Sequence, residues 1–134
     1  NRAGKIALIG RFGADSIERH LPVLMEATKR EGRRVLWMID PMHGNGRIED
    51  GRKVRRVSDM LAETRAFFAI ARASGVHPAG LHLEMSADEI SECVGADEAA
   101  SVGHNFQSLC DPRLNAGQAA ELVRLVVSLA PEPV

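Results

Sequence analysis

RVLWMID, Arg34 to Asp40, is the stretch on which the fold turns. Five apolar residues in succession, Val35 to Ile39, sit between charged ends, the pattern of a strand buried on both faces. The run is far below the roughly 20 residues that span a bilayer. Pro41, Gly44 and Gly46 follow at once and mark a strand-to-loop junction. KIALIG, Lys5 to Gly10, repeats the signature, and GLHLE, Gly80 to Glu84, gives a third strand after the His77-Pro78 turn.

Helical signals lie between and after these runs. Asp15, with Glu18 three residues on, is a possible cap for a helix that stops at Gly32, with a break expected near Pro22. Gly44 to Val57 is polar, basic and glycine-bearing, and reads as a loop. Ser58 opens a second helix through Leu61, Phe68 and Ile70 to Gly75. Ser86 and Glu89 match a capping box and predict a short helix to Gly95, with a loop from Gly95 to Gln107. Asn115 and Gln118 begin the last helix, whose Ala119, Leu122, Val123, Val126 and Leu129 keep the 3.6-residue period before Pro131.

Strand and helix thus alternate three times, an α/β pattern of three consecutive βα units with a parallel sheet under helices. Both doubly wound sheets and (β/α)8 barrels place ligands at the C-terminal ends of such strands. A whole barrel needs about 250 residues, so three units are less than half of one. The 134 residues fit one domain, residues 1–134, with no linker-like stretch. The chain opens at Asn1 rather than Met and enters a strand almost at once, so an upstream portion is expected to be missing.

Seventeen Lys and Arg against eighteen Asp and Glu leave a formal charge of -1, and no basic stripe with interleaved aromatics points to nucleic acid. Two distant cysteines form neither a disulfide framework nor a zinc pattern. No membrane span, signal or transit segment is apparent, so a reducing, cytoplasmic setting is the expectation.

His43 lies three residues beyond Asp40, Glu84 ends the third strand, and Asp111 precedes the last helix. One imidazole and two carboxylates suit a divalent ion of intermediate hardness, Mn²⁺, Fe²⁺, Co²⁺ or Zn²⁺, better than an all-oxygen magnesium cage. Each also has an ordinary reading: a turn cap for His43, a solvated strand-end carboxylate for Glu84, a turn starter before Pro112 for Asp111. His82 shares a strand face with Glu84, as a partner behind the ligands or as an interior histidine. Arg11, at the end of the first strand, has the two-pronged shape that grips phosphate or carboxylate, and equally that of a solvated loop arginine. Lys53, Arg55 and Arg56 add positive charge in the next loop, either closing over an anion or simply hydrated. Cys110 is a redox candidate or a packed thiol, and Cys93 carries no functional argument.

Taken together, D-P-M-H-G-N (Asp40 to Asn45), L-H-L-E (Leu81 to Glu84) and C-D-P-R-L-N (Cys110 to Asn115) resemble class II 3-deoxy-D-arabino-heptulosonate 7-phosphate (DAHP) synthase. G-R-F-G, G-R-K-V-R-R, R-A-F-F and H-P-A-G extend the likeness over nearly the whole chain. The resemblance implies the sixth, seventh and eighth units of a (β/α)8 TIM barrel, with the N-terminal part absent. It implies a transferase that condenses phosphoenolpyruvate with erythrose 4-phosphate to give DAHP and phosphate, the entry to the shikimate pathway and aromatic amino acids. The family's metal, expected to be Mn²⁺, is held by a cysteine, a histidine, a glutamate and an aspartate, of which three match His43, Glu84 and Asp111. Arg11 matches the phosphoenolpyruvate-binding arginine, and Lys53 a lysine near substrate.

The departures bound what the resemblance carries. Neither Cys93 nor Cys110 corresponds to the cysteine ligand, and further phosphoenolpyruvate-binding residues belong to strands not present. Phe106 stands where many relatives have tyrosine. The expectation is an enzyme that works only with the missing N-terminal half, the isolated piece seeking that partner or self-associating. Two other readings stand beside it: a noncatalytic, shortened relative acting as a binding module, and a specialised enzyme feeding phenazine or ansamycin-type pathways with DAHP or its amino analogue.

Overall fold

A computed structural model of the chain describes residues 1–49, 51–95 and 105–130. The three apolar runs become β1 (Ala7–Gly10), β2 (Leu36–Ile39) and β5 (Pro78–Leu81), which form a parallel sheet in the order β1-β2-β5. The register pairs Ala7 with Leu36 and Gly10 with Ile39, and then Ile39 with Leu81, so the three C-terminal ends lie level. Alternation along β2 buries Trp37 and Ile39. They meet Leu21 and Met25 of α1 (Ile17–Arg30) and Phe67, Phe68 and Ala71 of α2 (Val57–Ala73). A second apolar cluster, Met42, Val57, Met60, Cys93, Leu114, Ala119 and Leu122, packs α2 against α3 (Ala116–Leu129). The described residues therefore form a mixed α/β structure, a parallel sheet with three α-helices. Among the described residues, no helix is long and apolar enough to cross a membrane.

Several expectations need correction. The first helix starts from Ser16, not Asp15, and no side chain caps it; the Gly13 carbonyl accepts the Ser16 and Ile17 amides instead. It runs unbroken through Pro22. The second helix starts one residue before Ser58, because the Val57 amide, which a cap would otherwise satisfy, donates to the Val94 carbonyl. The basic loop is not featureless: it holds a 3-10 turn, His43–Asn45, and an antiparallel hairpin of β3 (Arg47–Glu49) and β4 (Arg52–Val54). Lys53 is thus a strand residue, and Val54 and Arg55 are buried.

The short helix from Ser86 does not form. Ser86 Oγ accepts the Asp88 amide two residues on, a local turn that competes with helix. The following segment is held from outside, the Ser91 amide donating to the Asn105 carbonyl. The third strand ends at Leu81, so Glu84 lies beyond it in an extended stretch where Met85 bridges to Leu114. Within the loop expected from Gly95 to Gln107, residues 96–104 lie outside the described residues. The last helix has both halves of its capping box: Asn115 Oδ1 accepts the Gln118 amide at 3.0 Å, and Gln118 Oε1 the Asn115 amide at 3.2 Å.

Candidate metal centre and anion pocket

The site begins with Asp40, the first residue after β2 and wholly buried. Its Oδ1 accepts the amides of Met42 and His43, which curls the chain into the 3-10 turn and swings the His43 ring back toward Oδ2. His43 Nδ1 lies 2.6 Å from that oxygen. In the neutral ring Nδ1–H donates to Asp40, and the Nε2 lone pair faces outward. His82 Nδ1 and Arg11 Nε each reach the same oxygen at 3.2 Å. Burial alone would raise the Asp40 carboxyl, but the His43 and Met42 amides and the His43 ring outweigh it and hold it below the ordinary range.

His43 Nε2 faces Glu84 Oε1 at 3.4 Å and Asp111 Oδ2 at 3.8 Å. One donor atom from each of the three residues lies within 4.8 Å of the others. With the ring proton on Nδ1, three lone-pair donors converge, a set that could hold a cation. Donors sharing an ion at about 2.0–2.2 Å stand roughly 3–3.5 Å apart, so small shifts suffice. The nitrogen and carboxylate set fits Mn²⁺, Fe²⁺, Co²⁺ or Zn²⁺.

Two cations back the carboxylates. Lys53 Nζ donates to Asp111 Oδ1 at 2.5 Å; Arg55 donates through Nη1 to Glu84 Oε2 and through Nη2 to Asp111 Oδ2, each at 2.7 Å. The Lys53 hydrogen bond, against some burial and with the Arg55 charge, keeps the Asp111 carboxyl below its ordinary range. Lys53 and Arg55 are two residues apart along extended chain, so both reach one carboxylate. Arg11 stands half-exposed beside Asp40, at the same end of the sheet. The structure thus brings His43, Glu84 and Asp111 together, sets Lys53 against Asp111, and ties Arg11 and His82 to Asp40.

Residues outside the candidate set hold the loops in place. Glu63, wholly buried on α2, accepts the Phe12 and Gly13 amides on Oε1 and Asn45 Nδ2 on Oε2. Asn45 Oδ1 accepts the Ala14 amide. The two loops touch backbone to backbone: a Cβ on Gly44 would fall 2.2 Å from the Gly13 nitrogen. Burial pushes the Glu63 carboxyl above its ordinary range despite those hydrogen bonds. A signal was present, since Met60, Glu63, Thr64 and Phe67 recur at helical spacing and place Glu63 on the apolar face.

A family model described as the Class-II DAHP synthetase family matches residues 1–127. The chain belongs to that family. The phospho-2-dehydro-3-deoxyheptonate aldolase of Streptomyces coelicolor is 39% identical over 130 residues, covering 94% of this chain and 29% of that protein. A protein of the same name from Streptomyces lividans is 38% identical over 130 residues, 94% of this chain and 88% of its own. A probable phospho-2-dehydro-3-deoxyheptonate aldolase of Pseudomonas fluorescens is 45% identical over 125 residues, 90% of this chain and 30% of its own. The chain therefore spans under a third of the length of the Streptomyces coelicolor and Pseudomonas fluorescens relatives.

Within this family member neither cysteine joins the donor cluster among the described residues. Cys93 is buried in the second apolar cluster, and burial pushes its thiol up to about 12, so it stays protonated. Cys110 is exposed beside Asp111. Phe106 is half-buried.

Proposed function

We propose that this chain is the C-terminal part, the sixth to eighth strand-helix units, of a (β/α)8 DAHP synthase barrel. In it His43, Glu84 and Asp111 hold a divalent metal, Mn²⁺ by preference. The longer enzyme condenses phosphoenolpyruvate with erythrose 4-phosphate, giving DAHP and phosphate. The observation that carries this reading is the convergence of His43 Nε2 with the Glu84 and Asp111 carboxylates, with Asp40 fixing the ring from behind. The fourth ligand, a cysteine in the resemblance, comes from the remainder of the longer protein.

Each residue has a physical task. Arg11, its Nε on Asp40 and its side chain half-exposed, presents its remaining N–H groups to the phosphate or carboxylate of phosphoenolpyruvate. Lys53, two-fifths exposed at the rim, supplies a second movable charge for substrate. When bound, the ion supplies Lewis acidity toward the aldehyde oxygen and a means of activating water. His43 and the two carboxylates set where that charge sits, and Asp40 keeps the ring proton on Nδ1 so that Nε2 remains a ligand.

The test is phosphoenolpyruvate consumption by the full-length protein with erythrose 4-phosphate and Mn²⁺. His43→Ala and Glu84→Ala are expected to lower kcat by about a hundred- to a thousandfold, the scale of losing a contact made to developing charge. Full turnover by either variant would overturn the assignment.

A further inference from the structure

Among the described residues Arg55 is the one arginine that is fully buried. Its Nη1 donates to Glu84 Oε2 and to the Pro112 carbonyl, and its Nη2 to Asp111 Oδ2, all at 2.7 Å. Its Nε finds no acceptor among the described residues. The backbone is fixed as well, since the Arg55 carbonyl accepts the Val94 amide at 2.9 Å.

Two carboxylates aimed at one point repel each other, and without an ion they would turn toward water. A planar guanidinium removes that freedom, because its two Nη groups hold two acceptors at a set separation. Glu84 is divided between partners, Oε2 on Arg55 and Oε1 facing His43. Asp111 is gripped from two sides, by Lys53 and by Arg55. The Pro112 carbonyl locks the guanidinium plane to the backbone that carries Asp111.

We propose that Arg55 is a positioning residue that presets Glu84 and Asp111 for a divalent cation while never touching it. This rests on the metal reading above. Two effects of opposite sign separate the role from plain electrostatics. Loss of a nearby positive charge should tighten binding of a dication, whereas loss of the bracket should weaken it. Arg55→Lys keeps the charge but offers a compact point donor in place of the fork, and Arg55→Met removes both.

The experiment is Mn²⁺ titration of the full-length protein by calorimetry, with folding of each variant checked by circular dichroism. Both substitutions are expected to weaken Mn²⁺ binding about ten- to a hundredfold, the range for residues that orient metal ligands. Wild-type affinity in Arg55→Lys, or tighter binding in Arg55→Met, would overturn the proposal and leave the metal reading intact. Absence of Mn²⁺ binding by the wild type would overturn both. Independent of any variant's folding, nitrogen-15 spectra of metal-free wild type should show the assigned Arg55 guanidinium with blocked rotation and slow exchange. Free rotation of the Arg55 guanidinium would equally overturn it.

Discussion

At the scale of single residues, Asp40 carries the site further than its place in D-P-M-H-G-N suggests. One of its oxygens is shared by the His43 ring, the His82 ring and Arg11, so the proposed metal ligand and the proposed anion-binding arginine are set by a single atom. Asp40→Asn puts an amide N–H2 where that oxygen stood, or turns it against the Met42 and His43 amides. In the first arrangement the His43 proton moves to Nε2 and the outward lone pair is lost. Mn²⁺ affinity of the full-length protein should fall about ten- to a hundredfold, with a change of tautomer visible in histidine nitrogen-15 shifts. Unchanged affinity and tautomer would refute this role. The residues read from sequence as ligand candidates were those whose chemistry shows in type and strand-end position. Asp40 escaped because in sequence it reads as the end of a strand, and Arg55 because it reads only as charge closing over an anion or as a hydrated one. Only the tertiary arrangement separates a buried ion pair from a wet charge.

At the scale of elements, the three apolar runs and the Asn115–Gln118 cap were legible because burial and capping leave local marks. The hairpin and the missing helix were not, because their causes are distant in sequence. Glu92 illustrates this: wholly buried, it accepts the amides of Gln107, Ser108 and Arg113 and the Arg113 guanidinium. These bonds hold residues 107–113, which present Asp111. Against burial, which alone would raise it, the Arg113 guanidinium and the amides lower the Glu92 carboxyl to about 2. A depressed acid stabilises the fold fully above its unfolded value near 4.5, and that stability drains away as pH falls toward 2. The contribution is on the order of 3 kcal/mol. Urea unfolding of Glu92→Gln should therefore show a loss at pH 7 that shrinks as pH approaches 2; an equal loss at both ends would count against the linkage. The loop contact at Gly13 and Gly44 makes a sharper demand. Gly44→Ala drives a methyl into the Gly13 backbone and should cost about 1–3 kcal/mol in the same assay, with weaker substrate binding because Arg11 and His43 flank that contact. Wild-type stability would show that the loops separate freely.

At the scale of the whole molecule, α1 and α2 pack on one face of the parallel sheet. β1 pairs only with β2, so one of its edges is unpaired among the described residues. Ile6 and Ile9 at β1 are exposed, as are Leu24 of α1 and Leu36 of β2, and Leu8, Ile9, Leu24, Ala27 and Trp37 line an apolar trough of about 480 Å³. An open strand edge next to exposed apolar side chains is a template for pairing with more chain. In the proposed barrel the preceding unit of the longer protein takes that place, giving β1 its second ladder and filling the trough. A polypeptide of these 134 residues alone should then self-associate at micromolar concentration, as read by sedimentation velocity. Ile9→Lys with Leu24→Lys, which places charge on the edge and in the trough, should shift it toward monomer without disturbing the buried clusters. Adding the complementary part of the longer protein should do the same for the unsubstituted chain by forming a one-to-one complex. A monodisperse monomer that unfolds cooperatively by itself would mean that this face is already content with water, and the partial-barrel reading would have to be abandoned.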